Sequence, residues 1–290
     1  MIMNITGKTA VYGVIGDPVA HTLSPLIQNR AITVMGIDAV YVPFHVKPSD
    51  FENAIRGIVS LSVAGVNVTV PYKTEVMKYL DHVSDVALSV GAVNTIVNDN
   101  GVLTGDNTDV YGFEMCLEKD AGLTRFPERV AILGAGGAAR GVAYACLMRD
   151  EVDEVIVLNR TFSKAEKLAE ELARVTGKNL VPMPAEKNNF RNVLPASGLV
   201  VNTTSVGMHP DIHRSPLPES DVLTEWQIVC DIVYNPPETK LLKEARSHGA
   251  QTVGGLAMLA YQGARSLALW TGKEAPADVM LDVLKEKFGV

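Results

Sequence analysis

The run VAILGAGGAARG at residues 130–141 constrains this chain more than any other stretch. Val130, Ala131, Ile132 and Leu133 form a short apolar run of the kind a buried parallel strand needs. Gly134, Gly136 and Gly137 break it, and Val142, Ala145 and Cys146 then recur at helical spacing. A strand feeding a helix through a glycine turn is the setting in which G-x-G-x-x-A acquires a physical meaning. The first glycine permits the tight turn, the second lets backbone N–H groups approach a pyrophosphate, and Ala139 in the third place keeps helix and strand close. Gly134, Ala135, Gly136, Gly137 and Ala138 are therefore candidate dinucleotide contacts, at a helix N-terminus whose partial positive charge favours an anion. The turn specifies a bound cofactor, not the reaction done with it.

The next segment bears on which cofactor. A site that prefers NAD carries a carboxylate about 20 residues past the turn, at the end of the second strand. That strand ends at Leu158, and Asn159, Arg160, Thr161, Phe162, Ser163 and Lys164 follow with no acidic residue. Arg160 and Lys164, with the Thr161 hydroxyl and Asn159, suit a 2′-phosphate through charge-assisted hydrogen bonds. NADP is the expected cofactor. The competing reading is a solvated basic loop balanced by Glu166, Glu170 and Glu171.

At 290 residues the chain is long for a single core, and two domains are expected. In the first half, strands are expected at 11–16, 41–46, 65–70 and 91–97, with a return strand at 102–104 after the turn signal Asn98-Asp99-Asn100-Gly101. Helices are expected from Ser24, capped by its hydroxyl with Pro25 in the first turn, from Ser49, and over 84–90. In the third strand Asn67 and Thr69 alternate with Val66, Val68 and Val70, and Lys73 follows, as if the strand end opened on a polar cleft. Six further strands at 130–133, 155–158, 180–183, 199–203, 228–233 and 251–253 fit a Rossmann-type sheet. The helices at 256–270 and 277–288 have no strand left to cross to and are expected to pack back on the first domain. The fold class is thus α/β in two domains. An N-terminal α/β substrate domain with a mainly parallel sheet takes residues 1–108 plus 256–290, and a C-terminal Rossmann-type NADP-binding domain takes 109–255.

Several functional classes are set aside on composition. A net charge of −7 disfavours general affinity for nucleic acid or an anionic membrane. No apolar run reaches the length of a membrane span. The N-terminal MIMNITGKTAVYG lacks a basic region followed by an extended apolar segment, so a cytoplasmic location is expected. Cys116, Cys146 and Cys230 are scattered in apolar runs, as in a reducing compartment. The six histidines show no metal-ligand spacing: His209 and His213 are separated by Pro210, which prevents a common helix. No bound metal is expected, and G-x-S-x-G is absent, which disfavours a serine hydrolase.

The remaining polar clusters form an ordered set: GDPVAHTLSP (16–25), NVTVPYK (67–73), GAVNT (91–95), GDNTDVYG (105–112), GAGGAAR (134–140), NRT (159–161), NTTSVGM (202–208), DIVYNPPET (231–239) and YQG (261–263). Together they resemble the shikimate and quinate/shikimate dehydrogenase family over nearly the whole chain. The resemblance implies a cytoplasmic NADP-dependent oxidoreductase acting on CH–OH, which reversibly reduces 3-dehydroshikimate to shikimate in the chorismate route to aromatic amino acids. Carried onto matching positions, it makes Lys73 and Asp109 the catalytic pair. It gives Thr22 and Ser24 the substrate carboxylate, with Tyr234 nearby, and Asn94 and Gln262 the ring hydroxyls. Asn67 and Thr69 would line the same pocket, and Thr203 and Gly255 join the candidate cofactor set. Apart from the small-molecule substrate no partner is implied, and the chain would be a monomer or homodimer. The chemistry agrees, because a carbonyl receiving hydride develops negative charge on oxygen that a lysine can protonate or hold, with a carboxylate orienting the ammonium. This chain departs from the family pattern twice. Thr22-Leu23-Ser24 stands where S-x-S is usual, which leaves the choice between shikimate and quinate open, and Lys164 stands where arginine is common. A quinate/shikimate dehydrogenase using NAD or NADP, a non-catalytic dinucleotide-binding regulator, and an oxidoreductase for another cyclic hydroxy acid are the alternatives.

Overall fold

The structure, a computed structural model, describes residues 5–290. The chain divides into two compact units, Met1–Tyr111 with Ala260–Val290, and Gly112–Leu259.

In the first unit β1 (Ala10–Gly16), α1 (Ser24–Val34), β2 (Ala39–His45), α2 (Phe51–Ser60) and β3 (Gly65–Val68) alternate, followed by β4 (His82–Val83), α3 (Asp85–Val90) and the hairpin β5 (Thr95–Asp99) and β6 (Val102–Asp106). The sheet order is β2-β1-β3-β5-β6-β4. Pairings of β1 with β2 and β3, and of β4 with β6, are parallel, whereas β5 runs antiparallel to β3 and β6. The outer edge at β2 is closed to further pairing: the Asn29 side chain donates to the Tyr41 carbonyl and accepts from its N–H at 2.8 and 2.9 Å, and Pro43 offers no N–H.

α4 (Thr108–Asp120) leaves this unit. In the second unit β7 (Arg129–Leu133), α5 (Gly137–Leu147), β8 (Glu154–Asn159), α6 (Phe162–Thr176), β9 (Leu180–Pro184), α7 (Lys187–Val193), β10 (Leu199–Asn202), β11 (Ile228–Asp231), α8 (Lys240–Ser247) and β12 (Gln251–Gly254) follow. All five pairings are parallel in the order β12-β11-β10-β7-β8-β9. That is the Rossmann order, with its reversal between β7 and β10. α9 (Gly255–Thr271) and α10 (Ala277–Phe288) end the chain, and from Ala260 onward they belong to the first unit. Trp270 of α9 anchors them there. Its ring stacks on Tyr12 at 5.0 Å and its Nε1–H donates to the Ile96 carbonyl at 2.9 Å. Gly65 admits that ring, since a Cβ there would lie 2.3 Å from Trp270 Nε1.

Local chemistry departs from the sequence reading at several points. Ser24 does not cap α1. The N-cap is Leu23, with no side-chain capping bond, and the Ser24 oxygen instead accepts from Thr22 Oγ1 at 3.2 Å. α2 starts at Phe51 after a 3₁₀ turn over Pro48–Asp50, so Ser49 is not its cap. β3 ends at Val68 because the chain then turns, with Tyr72 N–H donating to the Thr69 carbonyl. The strand expected from residue 91 begins at Thr95, because Gly91 at φ 70° closes α3. The two-residue β4 carries no alternation that a sequence pattern would reveal.

Candidate functional site

The polar groups of the first unit converge where β3, β5, α4 and α9 meet. Lys73 follows β3, and Asp109 lies in the first turn of α4. Lys73 Nζ and Asp109 Oδ2 are 2.6 Å apart, both largely but not fully shielded from solvent. Asn94, just before β5, donates to Asp109 Oδ1 at 2.8 Å and to Thr108 Oγ1 at 3.0 Å. Its Oδ1 accepts from the Thr108 main-chain N–H at 2.8 Å. Asn67 lies buried behind this pair. Ser266 and Gln262, one turn apart on α9, complete the cluster, Thr108 Oγ1 reaching Gln262 Oε1 at 3.5 Å. An ammonium set against an oriented carboxylate is an arrangement that can give a proton to, or hold charge on, a nearby oxygen.

Thr22 and Ser24 form a second group of hydroxyls, with the Ser24 N–H donating back to Thr22 Oγ1 at 3.3 Å. The Tyr41 phenol is fully buried, and burial pushes it well above its ordinary range. Thr69 is half-buried beside β1, its methyl against Gly16, and its hydroxyl has no hydrogen-bond partner among the described residues.

In the second unit the glycine turn takes the expected form. Gly134 sits at φ 107°, where a Cβ would meet Thr203 Oγ1 and Thr204 Cγ2 at 2.8 Å. Thr203 is held there by its hydroxyl, which donates to the Leu133 carbonyl at 2.7 Å. α5 begins after Gly136 without a side-chain cap, so its first N–H groups keep their donors for an anion. A Cβ on Gly136 or Gly137 would meet no neighbouring part of the protein within 4 Å, so no other segment packs onto the turn on that side. Past β8, Asn159 Nδ2 donates to the Thr161 carbonyl at 2.8 Å. Arg160 and Lys164 are exposed and enter no ion pair among the described residues. Glu171, an acidic residue further along α6, pairs instead with Arg140 and Lys167. This donor set fits a dinucleotide with an extra phosphate. Gly255 opens α9, and a Cβ there would lie 2.4 Å from the Ile232 carbonyl oxygen, so that position tolerates only close backbone packing. Tyr234 lies beyond β11, and burial raises its phenol.

Family models match three stretches of the chain: the shikimate dehydrogenase substrate binding domain over residues 14–96, shikimate / quinate 5-dehydrogenase over 121–209, and the shikimate 5'-dehydrogenase C-terminal domain over 255–285. The chain is 42% identical over 283 residues to the shikimate dehydrogenase (NADP(+)) of Desulforamulus reducens, an alignment covering 98% of this chain and 97% of its relative. The chain belongs to the shikimate dehydrogenase family. Among solved structures, shikimate 5-dehydrogenase from Listeria monocytogenes in complex with shikimate and NAD superposes with a TM-score of 0.90 at 38% identity, covering 98% of this chain and 99% of that one. The enzyme from Thermus thermophilus in complex with NADP(H) and shikimate gives 0.83 at 35% identity, covering 96% and 99%.

Within the family frame, Thr22, Ser24, Asn67, Thr69, Lys73 and Asn94 fall inside the substrate-domain match, whereas Asp109 falls outside all three matches. The first unit brings Lys73, Asp109, Asn94, Asn67 and Gln262 into one bonded cluster and keeps Thr22 and Ser24 as a separate pair. Tyr234 and the cofactor candidates lie in the second unit. Thr95, Thr108, Ser266 and Tyr41 are bonded into the same cluster and were not among the sequence candidates. Thr108 adjoins Asp109, and Ser266 lies one helical turn beyond Gln262, so spacing gives a signal for both. Tyr41 has none, because its contact depends on how β2 registers against β1 and β3. Among the described residues, no cluster of three or more His, Cys, Asp or Glu side chains is placed to hold a metal ion, and no helix is long and apolar enough to cross a membrane.

Proposed function

We propose that this chain is an NADP-dependent shikimate dehydrogenase, which reversibly reduces 3-dehydroshikimate to shikimate in the biosynthesis of chorismate and the aromatic amino acids. The observation that carries the reading is the 2.6 Å Lys73–Asp109 pair in a unit matched by the family's substrate-binding domain. NADPH, when bound, supplies the hydride. Gly134, Ala135, Gly136, Gly137 and Ala138 would take its pyrophosphate at the N-terminus of α5. Arg160 and Lys164, with Asn159 and Thr161, would take its 2′-phosphate, and Thr203 and Gly255 would shape the sheet edge beneath it.

Lys73 is assigned the oxygen that gains negative charge: its ammonium stabilises that oxygen and delivers the proton, and Asp109 keeps the ammonium aimed. In the reverse direction the same pair receives the hydroxyl proton. The Thr22 and Ser24 hydroxyls are assigned the substrate carboxylate, and Thr69, Asn94 and Gln262 its hydroxyls. Thr22 puts a methyl group where serine is usual in the family, and the alternative reading is a dehydrogenase that also takes quinate. A cytoplasmic location is part of the proposal, supported by three cysteines that are all free and buried. So is a monomeric or homodimeric state, supported by the closed edge at β2, which blocks open-ended strand addition. An activity matrix of shikimate and quinate against NADP and NAD tests the function, and Lys73→Ala should lose most of kcat. Normal turnover by that variant would remove Lys73 from the mechanism.

A further inference from the structure

The amide of Asn67 does not face open solvent. Every polar atom it has is bonded inside the protein. Its Nδ2 donates to the Asn94 main-chain carbonyl at 3.1 Å, to Thr95 Oγ1 at 3.1 Å and to Ser266 Oγ at 3.0 Å. Its Oδ1 accepts from the Tyr41 phenol at 2.8 Å. A main-chain carbonyl only accepts, so the Asn94 oxygen dictates that the nitrogen points that way and that Tyr41 is the donor on the other side. The same logic orients the next amide. The Thr108 N–H only donates, which fixes Asn94 Oδ1 toward it and leaves Asn94 Nδ2 to donate to Asp109 Oδ1. Thr95 Oγ1, held by Asn67, donates to Asn94 Oδ1 at 3.0 Å and seals the arrangement.

We infer that Asn67 and Tyr41 are positioning residues: they hold Asn94, main chain and side chain, so that its amide pins one oxygen of Asp109 and leaves the other facing Lys73. Neither residue touches the reacting atoms in this account, and Asn67 is moved from the pocket lining to the support behind it. The inference rests on the proposed dehydrogenase function. A buried network of this kind is rigid only when each member is satisfied. Removing one amide lets Asn94 and Asp109 shift, and misplacement of about 1 Å at a reacting pair costs on the order of a hundredfold in rate.

The test compares wild type, Asn67→Ala and Tyr41→Phe in shikimate oxidation with saturating NADP, with melting temperatures measured alongside. Asn67→Ala should lower kcat about ten- to a hundredfold while the KM for shikimate holds, because lost orientation acts on the transition state and not on ground-state binding. Tyr41→Phe, which deletes one oxygen, should lower kcat in the same direction by a smaller factor. A raised KM at unchanged kcat would return Asn67 to the substrate contacts and overturn the inference. So would a lower melting temperature with both constants unchanged. If Asn67→Ala fails to fold, Tyr41→Phe carries the same comparison, and unchanged constants in it overturn the inference alone. Absence of shikimate turnover by wild type would instead remove the proposed function.

Discussion

Replacing Arg160 with alanine separates a cofactor contact from a structural one. The side chain is exposed past the end of β8 and has no ion pair among the described residues, and one acidic candidate, Glu171, is already held by Arg140 and Lys167. Its removal breaks nothing inside the protein, so stability should move by no more than about 0.5 kcal/mol. In the complex it would make a charge-assisted bond to the 2′-phosphate, worth about 1.5–3 kcal/mol. At about 1.4 kcal/mol per factor of ten, that is a rise of about 10- to 150-fold in the KM for NADP, with solvent exposure holding it toward the lower end. NAD lacks the phosphate, so its KM should stay within about twofold. Initial rates with saturating shikimate and varied NADP or NAD give both constants, and a thermal melt reports the fold. The NADP effect should also shrink between about 0.1 and 1 M salt, as the screening length falls from about 10 to 3 Å. Equal changes for the two cofactors, or none, would refute the 2′-phosphate assignment. A large drop in melting temperature would show that Arg160 has a structural role.

Two further outcomes follow from the second unit. Gly134→Ala places a methyl group 2.8 Å from Thr203 Oγ1 in a φ 107° conformation, so it should cost about 1–3 kcal/mol and raise the KM for NADP by displacing the turn. Unchanged urea midpoint and KM would contradict this. Asp231 is buried at the end of β11, and despite three donors (Asn202 Nδ2, the Val233 N–H and Thr239 Oγ1) its burial raises it from 3.8 to about 6. The folded state therefore holds this proton more tightly than the unfolded chain. The stability Asp231 contributes is present at low pH and lost as pH rises through about 6, a change of up to about 3 kcal/mol at about 1.4 kcal/mol per pH unit. Wild type should gain stability relative to Asp231→Asn between pH 7.5 and 4.5, read from urea midpoints. A difference that is flat or opposite in sign would exclude it.

Local rules made much of the fold legible. The glycine turn, the hairpin signal at Asn98–Gly101 and the alternation of apolar runs with helical spacing are carried by neighbours in sequence, where turn chemistry and periodicity act directly. Boundaries failed where tertiary contacts outweighed local preference. Ser24 looked like a helix cap, but its oxygen is engaged with Thr22. β3 stops at Val68, although Thr69 and Val70 continue the pattern. For the site, Lys73, Asp109 and Asn94 were reached through family resemblance, and Thr108 and Ser266 were within reach of spacing alone. Tyr41 was not.

The residues by themselves determined that a dinucleotide with an extra phosphate suits this chain, because Gly134, the opening of α5 and Arg160 lie within one strand–turn–helix–strand unit and need no distant partner to be read. Their order also determined a Rossmann sheet and a family. Only the tertiary structure decided which amide serves which neighbour. Asn67, Asn94, Thr108 and Ser266 come from four separated segments, and the direction of each amide's hydrogen bonds is set by a main-chain group that only donates or only accepts. Such commitments depend on distances across the fold, and sequence separation carries no information about them.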